Sequence, residues 1–438
     1  MGHHEFYNRP IHLPDWGIDK GDAFLEHKTG TEQKKDGSKP LQGVRVLGLE
    51  QYIAGPYCSM LLADAGAEVV KLERPPHGDP RRNIGPLVPD AHGELKSGGF
   101  LEYNRNKKSI TLDLQKDEGK EIFKELIPTF DVLLVNLRPG SLDKLGLGYE
   151  ILQAINPRII YASITGFGEM PGFKGPYWQR PAFDVVAEAM GGIMEMIGFA
   201  DRPPHYTIFG VPDLVTAVYT AYGIMLALFQ RETTGKGQFV ESPMYDSMIA
   251  LNERAVMQYS FSGIAPSRGS EKLQGPRGSF LAKDGYIAFS TPTDEIWFRF
   301  ARIMGREDLN EDPRCKSGPD RAKHTESFLR PLIEAWLKDK NREEAVEILY
   351  KAGVPAGPVY NMDDIFSCPQ VESRKMLIDV PVPGLGTHRL ARSPVLLSSS
   401  TDFQGTVYPE LGLHTRDVLQ TLGYNDSQIK ALKDKNII

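Results

Sequence analysis

One carboxylate and a few cations at strand ends carry most of the chemistry that can be read in this chain of 438 residues. Asp213 stands in IFGVPDLVTAVYTAYG, beside Gly210 and Pro212 and just ahead of a long apolar run. A carboxylate in the first turn of a helix suits the positive end of the helix dipole, so position alone reads Asp213 as a helix-terminal charge. No G-x-S-x-G elbow, Walker A loop or H-E-x-x-H occurs, so hydrolase, nucleotide-triphosphate and zinc-protease readings lose support. Cys58, Cys315 and Cys368 are odd in number and far apart, which argues against a disulfide framework or a cysteine zinc site and fits a reducing cytoplasm. His3, His4 and Glu5 are neighbours at a terminus and read as surface chemistry, so no metal is expected.

The cations fall into three groups. Lys71 and Arg74, with Glu73, end one strand; Asn104, Asn106, Lys107 and Lys108 form a polar turn before another; Asn136, Arg138 and Lys144 follow a third. An arginine at a strand end can hold a phosphate or stack on an adenine. Three such groups around one crevice would receive a small anionic ligand. A net charge of −6 makes a general nucleic-acid binder a poor reading. The loop EQYIAGPYC follows the first strand, where an α/β sheet binds ligands, yet it lacks G-x-G-x-x-G; a dinucleotide is disfavoured and no cofactor is expected.

The elements that position these groups alternate. Val44, Val46, Leu47 and Leu49 read as a strand buried on both faces, residues 59–65 as a helix closed by Gly66, and AEVVKLE as a second strand. KSITLDL, DVLLVN and RIIYASITGF are further strands, with KDEGKEIFKELIPTF and residues 142–155 as helices. This alternation predicts a doubly wound α/β sheet. VTAVYTAYGIMLALFQRE is apolar almost all round and predicts a buried helix. GSFLAKDGYIAFS predicts a hairpin at Asp284-Gly285, followed by helical segments and, after residue 370, short strands and a last helix. The expected organisation is an N-terminal extension over 1–40, a large domain over 41–245, a linker helix over 246–268, a smaller α+β domain over 269–370 and a return to the large domain over 371–438. The start, MGHHEFYNRP, has no apolar core of a secretory signal, and no run of about 18 apolar residues predicts a membrane span.

Taken together, GVRVLGLEQYIAGPYCSMLLADAGAEVVKLERPPHGDPRR, NRNKKSITLDL, DVLLVNLRPGSLDKLGLGYE, NPRIIYASITGFG, GPYWQRPAFDVVAEAMGG, GVPDLVTAVYTAYGIMLALFQRETTGKGQ and PELGLHTRDVLQTLGY resemble the family III CoA-transferases. The resemblance runs in order from residue 41 to the end. It implies that Asp213 is the covalent catalyst, and that Ala54, Arg74, Asn136 and Lys144 lie around the CoA moiety; Arg138, from the basic cluster between the last two, is expected to line the same region. It also implies a Rossmann-like large lobe, a small lobe and an interlocked dimer. Two positions depart from the oxalate enzymes: Ile53 stands where a Gln is found, and QGPRGSF replaces a glycine-rich loop. The implied partners are an acyl-CoA donor, with succinyl-CoA common in the family, and an acceptor carboxylic acid.

The rival within the same fold is a 2-methylacyl-CoA racemase. Racemases of this fold carry an A-G-H-D segment, and here Pro181-Ala182-Phe183-Asp184 puts Phe183 where the His should be. A phenyl ring cannot carry a proton, so transfer is favoured. A third reading is one subunit of a hetero-oligomeric transferase.

Overall fold

The computed structural model describes residues 39–269, 274–399 and 409–438; the expected N-terminal extension, up to residue 38, lies outside the described residues. The first eight strands are β1 (Arg45–Leu49), β2 (Glu68–Glu73), β3 (Leu87–Pro89), β4 (Leu95–Ser97), β5 (Lys107–Thr111), β6 (Val132–Val135), β7 (Ile160–Ser163) and β8 (Phe239–Glu241). Six of them form one sheet in the order β5-β2-β1-β6-β7-β8, parallel throughout. The chain therefore starts in the middle, steps out to one edge, returns across β1 and steps out to the other. That reversal opens a crevice beyond the carboxyl ends of β1 and β6, the usual ligand site of such sheets.

The period of two along each strand feeds two cores. Leu47, Leu49, Val70, Leu72, Leu133 and Val135 face one layer, which includes Ile122 and Phe123 and also Val418, Leu419, Leu432 and Ile437 from the end of the chain. Val46, Val69, Val132 and Leu134 face the other, where the helices Ala54–Asp64 and Val211–Thr234 bring Cys58, Leu62, Ala217 and Ile224. Strands covered on both faces need continuous apolar runs, and VLLV in β6 is buried at every position.

A second sheet joins β9 (Arg277–Ala282), β10 (Gly285–Ser290) and β11 (Ala356–Pro358), all antiparallel. It has its own core, with Phe280, Phe289, Trp297, Phe300, Ile333 and Leu349. The hairpin β12 (Leu377–Val382) and β13 (Gly386–Ala391) sets Val380 and Val382 against Phe100 and Leu101.

Two expectations need correction. The helix Val211–Thr234 is not buried all round: Thr216, Ala217, Thr220 and Ile224 face the sheet, while Val218, Tyr222, Leu226 and Phe229 are exposed. It is long and apolar enough to cross a membrane by composition, but its covered face belongs to the sheet core. The second correction concerns the cations. Lys71 and Lys107 do not line a crevice; both are buried in an ion-pair network under the sheet's first loop. Asn104 is buried, donating to the Phe100 carbonyl at 2.8 Å, and Lys108 pairs with Glu68 at 2.6 Å. The reason is topological. Asn104 ends the helix Gly98–Asn104, Lys107 and Lys108 open β5 instead of following a strand's carboxyl end, and Lys71 lies within β2; the long Lys71 and Lys107 side chains run inward to the buried Glu50 carboxylate.

Candidate active site

Two helix N-termini converge at the switch point. Gly210, at φ +83°, turns the chain in a left-handed conformation that a side chain would disfavour, and Pro212 fits the first turn that follows. Asp213 is thereby held near the start of a 24-residue helix. The helix Ala54–Asp64 begins beside it: Ala54 and Asp213 line one cavity, and the Ala54 N–H favours the anion of the Asp213 carboxyl. Gly55 lets the helix start pack against Glu50 and Asn136: a Cβ there would meet Glu50 Cβ at 2.8 Å and Asn136 Cγ at 2.9 Å.

Asp213 is half-buried. Burial pushes its carboxyl up to about 7, helped by the negative charge of Asp184 and opposed by the Ala54 N–H and by Arg81. A carboxylate titrating near neutrality is both available as an anion and more nucleophilic than an ordinary one. Asp184 is not a free base, because it accepts the Gly210 N–H at 3.0 Å; Glu188 accepts the Thr207 N–H at 2.7 Å. Phe183 lies edge-on to Tyr52 with ring centroids 6.2 Å apart.

A cavity of 320 Å³ contains Asp213, Ala54, Phe183, Asn136, Arg138 and Arg180 among its walls. Arg180 lies over the Tyr177 ring at 4.0 Å. Among the described residues, neither Arg138 nor Arg180 has a carboxylate within ion-pair distance. A second cavity, of 250 Å³, adjoins it across Gln51 and Leu137; Arg74, Asp113 and Leu145 line it. Arg74 is 69% exposed, with its Nε 3.6 Å from Asp113 Oδ1.

The residues singled out in the sequence thus divide. Asp213, Ala54, Asn136 and Arg138 share one cavity, and Arg74 lines its neighbour. Lys144 is exposed on the short helix Ser141–Lys144 and belongs to neither wall. Asn136 has its amide already committed: its Oδ1 accepts the Gln51 N–H and its Nδ2 donates to the Gln51 carbonyl, both at 2.8 Å. It clamps the loop with one N–H and one lone pair, and its second Nδ2 hydrogen is not taken by Gln51.

Sequence reasoning missed Arg81 and Tyr103. Arg81 is buried, donates to the Gly99 carbonyl at 2.9 Å and lies over the Tyr103 ring at 5.3 Å. Burial, then Glu102, then the Asp213 charge push the Tyr103 hydroxyl above the usual tyrosine range. Nothing in Pro80-Arg81-Arg82 separates the arginine near Asp213 from its neighbour, which instead pairs with Glu73 at 2.6 Å.

Residues 41–415 match the model of CoA-transferase family III. The chain is 40% identical to a succinyl-CoA:mesaconate CoA-transferase of Haloarcula hispanica, over 87% of this chain and 96% of the relative. It is 35% identical to a succinyl-CoA–D-citramalate CoA-transferase of Chloroflexus aurantiacus, over 91% and 98%. Among solved structures, a CaiB/BaiF family protein from Brucella suis superposes with a TM-score of 0.77 at 34% identity, covering 88% of this chain and 99% of that one.

Proposed function

The chain belongs to CoA-transferase family III, and on that premise we propose that it moves CoA from an acyl-CoA donor, succinyl-CoA first among candidates, to a short dicarboxylic acid, with Asp213 as the covalent catalyst. The observation that carries the proposal is the Asp213 carboxylate, desolvated and faced by the Ala54 N–H in a cavity lined also by Arg138 and Arg180, neither of them ion-paired among the described residues.

The chemistry follows from that placement. The Asp213 carboxylate attacks the thioester carbonyl; a C–O bond forms, the C–S bond breaks, and CoA leaves as a thiolate from a mixed anhydride. The thiolate attacks the Asp213 acyl carbon, giving an aspartyl-CoA thioester and releasing the donor acid. The acceptor carboxylate displaces the thiolate, forming a new anhydride, and the thiolate then attacks the acceptor's acyl carbon and frees Asp213. No proton is gained or lost over the cycle. When the Asp213 acyl carbon is itself attacked its carbonyl oxygen becomes negative, and the Ala54 N–H, which favours the Asp213 anion, would stabilise it. Arg74 is the residue for the phosphate end of CoA, with the Arg138 guanidinium nearer the reacting groups.

The acceptor class rests on charge. An acid that spends one carboxylate on the reaction needs the other neutralised, and Arg138 and Arg180 line the same cavity as Asp213. The relatives' names pair succinyl-CoA with mesaconate and with D-citramalate, both dicarboxylic acids.

The dimer implied by the resemblance has support in apolar surface without a cover. The helix Glu253–Ser262 buries no residue within its own chain, and Phe261 there is 87% exposed. With Tyr222 and Phe229 on the long helix Val211–Thr234, this is more apolar surface than a lone chain leaves in water. A cytoplasmic location completes the reading, in keeping with three free cysteines.

The test is a panel of acids with succinyl-CoA and purified enzyme, following new thioesters by mass. Dicarboxylic acids should accept CoA and monocarboxylic acids of equal length should not; acceptance of monocarboxylic acids alone would exclude the charge argument. Hydroxylamine added during turnover should leave a hydroxamate on Asp213, and its absence there would remove the covalent role.

A further inference from the structure

Lys107 is an ammonium group with no exposed side-chain surface, and its three N–H donors are all spent. They go to Glu50 Oε1 at 2.7 Å, the Pro56 carbonyl at 2.8 Å and Asn104 Oδ1 at 2.9 Å. Glu50 follows β1 and Pro56 stands in the first turn of the helix Ala54–Asp64, so one atom ties together both flanks of the turn between them. Ser59 adds a bond from the helix to Glu50 Oε1 at 2.7 Å.

The stretch between those ends is pinned as thoroughly. Lys71 donates to the Glu50 carbonyl at 2.8 Å. Asn136 takes both polar backbone groups of Gln51, and Asp79 Oδ1 accepts the Tyr52 N–H at 3.1 Å. Tyr52 sits at φ +64°, a conformation that non-glycine residues hold only when their surroundings over-determine it. Two residues further on is Ala54, which lines the same cavity as Asp213 and whose N–H favours the Asp213 anion.

Stability does not explain such a network. Buried ion pairs are commonly matched or exceeded in stability by apolar side chains of the same volume. What they supply is a fixed geometry, and the geometry fixed here is that of a donor at the reacting oxygen. We propose that Lys107, acting with Glu50, is a positioning residue for CoA transfer, holding the 50–56 loop so that the Ala54 N–H stays aimed at the Asp213 carboxylate. Lys107 touches no substrate and acts through the loop. The proposal rests on Asp213 being the nucleophile, and the two fail separately: loss of the Asp213 hydroxamate in wild-type enzyme removes the nucleophile, whereas the outcomes below concern only the strut.

Three full-length variants test it: Lys107→Met, the charge-neutral pair Glu50→Gln/Lys107→Met, and Ser59→Ala, which removes a single bond to Glu50. Each is melted first, then assayed for kcat, for thioester KM and for the pH dependence of kcat. A displacement of the order of 1 Å at a reacting group costs about 100-fold, so the folded Lys107 variants should lose about 10- to 100-fold in kcat, with thioester KM within about threefold. Ser59→Ala should lose about two- to fivefold by the same relation. The acid limb of the profile should move to higher pH in each, because Asp213 loses a donor that favours its anion while Asp184, Arg81 and Tyr103 still face it. Glu50, Lys71 and Asp79 are the charges around Lys107 itself, and the paired variant removes the nearest of them together with the lysine. A folded pair variant with wild-type kcat and an unmoved acid limb would overturn the proposal. So would a raised KM with unchanged kcat, which would place the strut in CoA binding. If neither Lys107 variant folds, Ser59→Ala decides by the same two readouts.

Discussion

Asp213→Asn offers a sharp physical test, because it should destroy activity and strengthen the fold. The substitution keeps the side chain's shape and removes its charge. In the folded chain, burial and the Asp184 charge raise the carboxyl from 3.8 to about 7. A raised carboxyl pKa means that the folded state resists ionisation: its contribution is intact below about pH 4 and is lost as pH rises through about 7. A tenfold change in an ionisation constant corresponds to about 1.4 kcal/mol, so the rise at Asp213 sets an upper bound of about 4 kcal/mol. Asp213 is only half-buried and solvent screens part of this, which leaves about 1–2 kcal/mol. Asparagine escapes the penalty. The variant should therefore melt higher than wild type by about 1–4 °C at pH 8, with a gap about a third as large at pH 5. Calorimetry or dye-monitored melting at both pH values, at fixed protein concentration, reads the difference. A variant less stable than wild type at pH 8, or a gap independent of pH, would refute the claim that Asp213 is held in a site costly to its anion. Turnover should fall by about 10³-fold or more, since a covalent catalyst has been removed.

Arg74→Ala should raise the thioester KM by about tenfold or more at low salt, as expected for losing a charge-assisted bond to phosphate; an unchanged KM would remove Arg74 from the CoA site. A chiral 2-methylacyl-CoA incubated with the enzyme in D₂O should take up no deuterium at C2, because Phe183 supplies no base and Asp184 and Glu188 are each engaged with a backbone N–H; rapid exchange would restore the racemase reading. Tyr222→Glu with Phe229→Glu should abolish the dimer in light scattering, and a monomeric wild type would contradict the interlocked arrangement. In wild-type enzyme, kcat should fall on acidification below about pH 7, following the Asp213 carboxyl; a limb near pH 4 would mean that the carboxylate reacts from an ordinary environment.

The sequence by itself determined the strands and their nature. Continuous apolar runs such as DVLLVN and RIIYASITGF can only be strands covered on both sides, and their alternation with helices implies parallel pairing. It also placed Asp213 at a helix start, since Gly210 and Pro212 are turn and first-turn residues. The motif resemblance, rather than periodicity, made that carboxylate a catalyst. Tertiary structure alone decided which cations face a cavity. Lys71, Lys107, Arg74 and Arg138 look equivalent along the chain, yet the first two are buried ion-pair partners and the last two line cavities. Charge type is local, whereas burial depends on which end of the sheet a residue occupies and on what packs over it. The same holds for Asn136, whose amide bonds both backbone groups of Gln51, 85 residues away, and for Arg81, which is set near Asp213 by a fold that brings residues 81 and 213 together. The helix Val211–Thr234 makes the converse point: its composition says apolar, but only packing says which side has a partner within this chain.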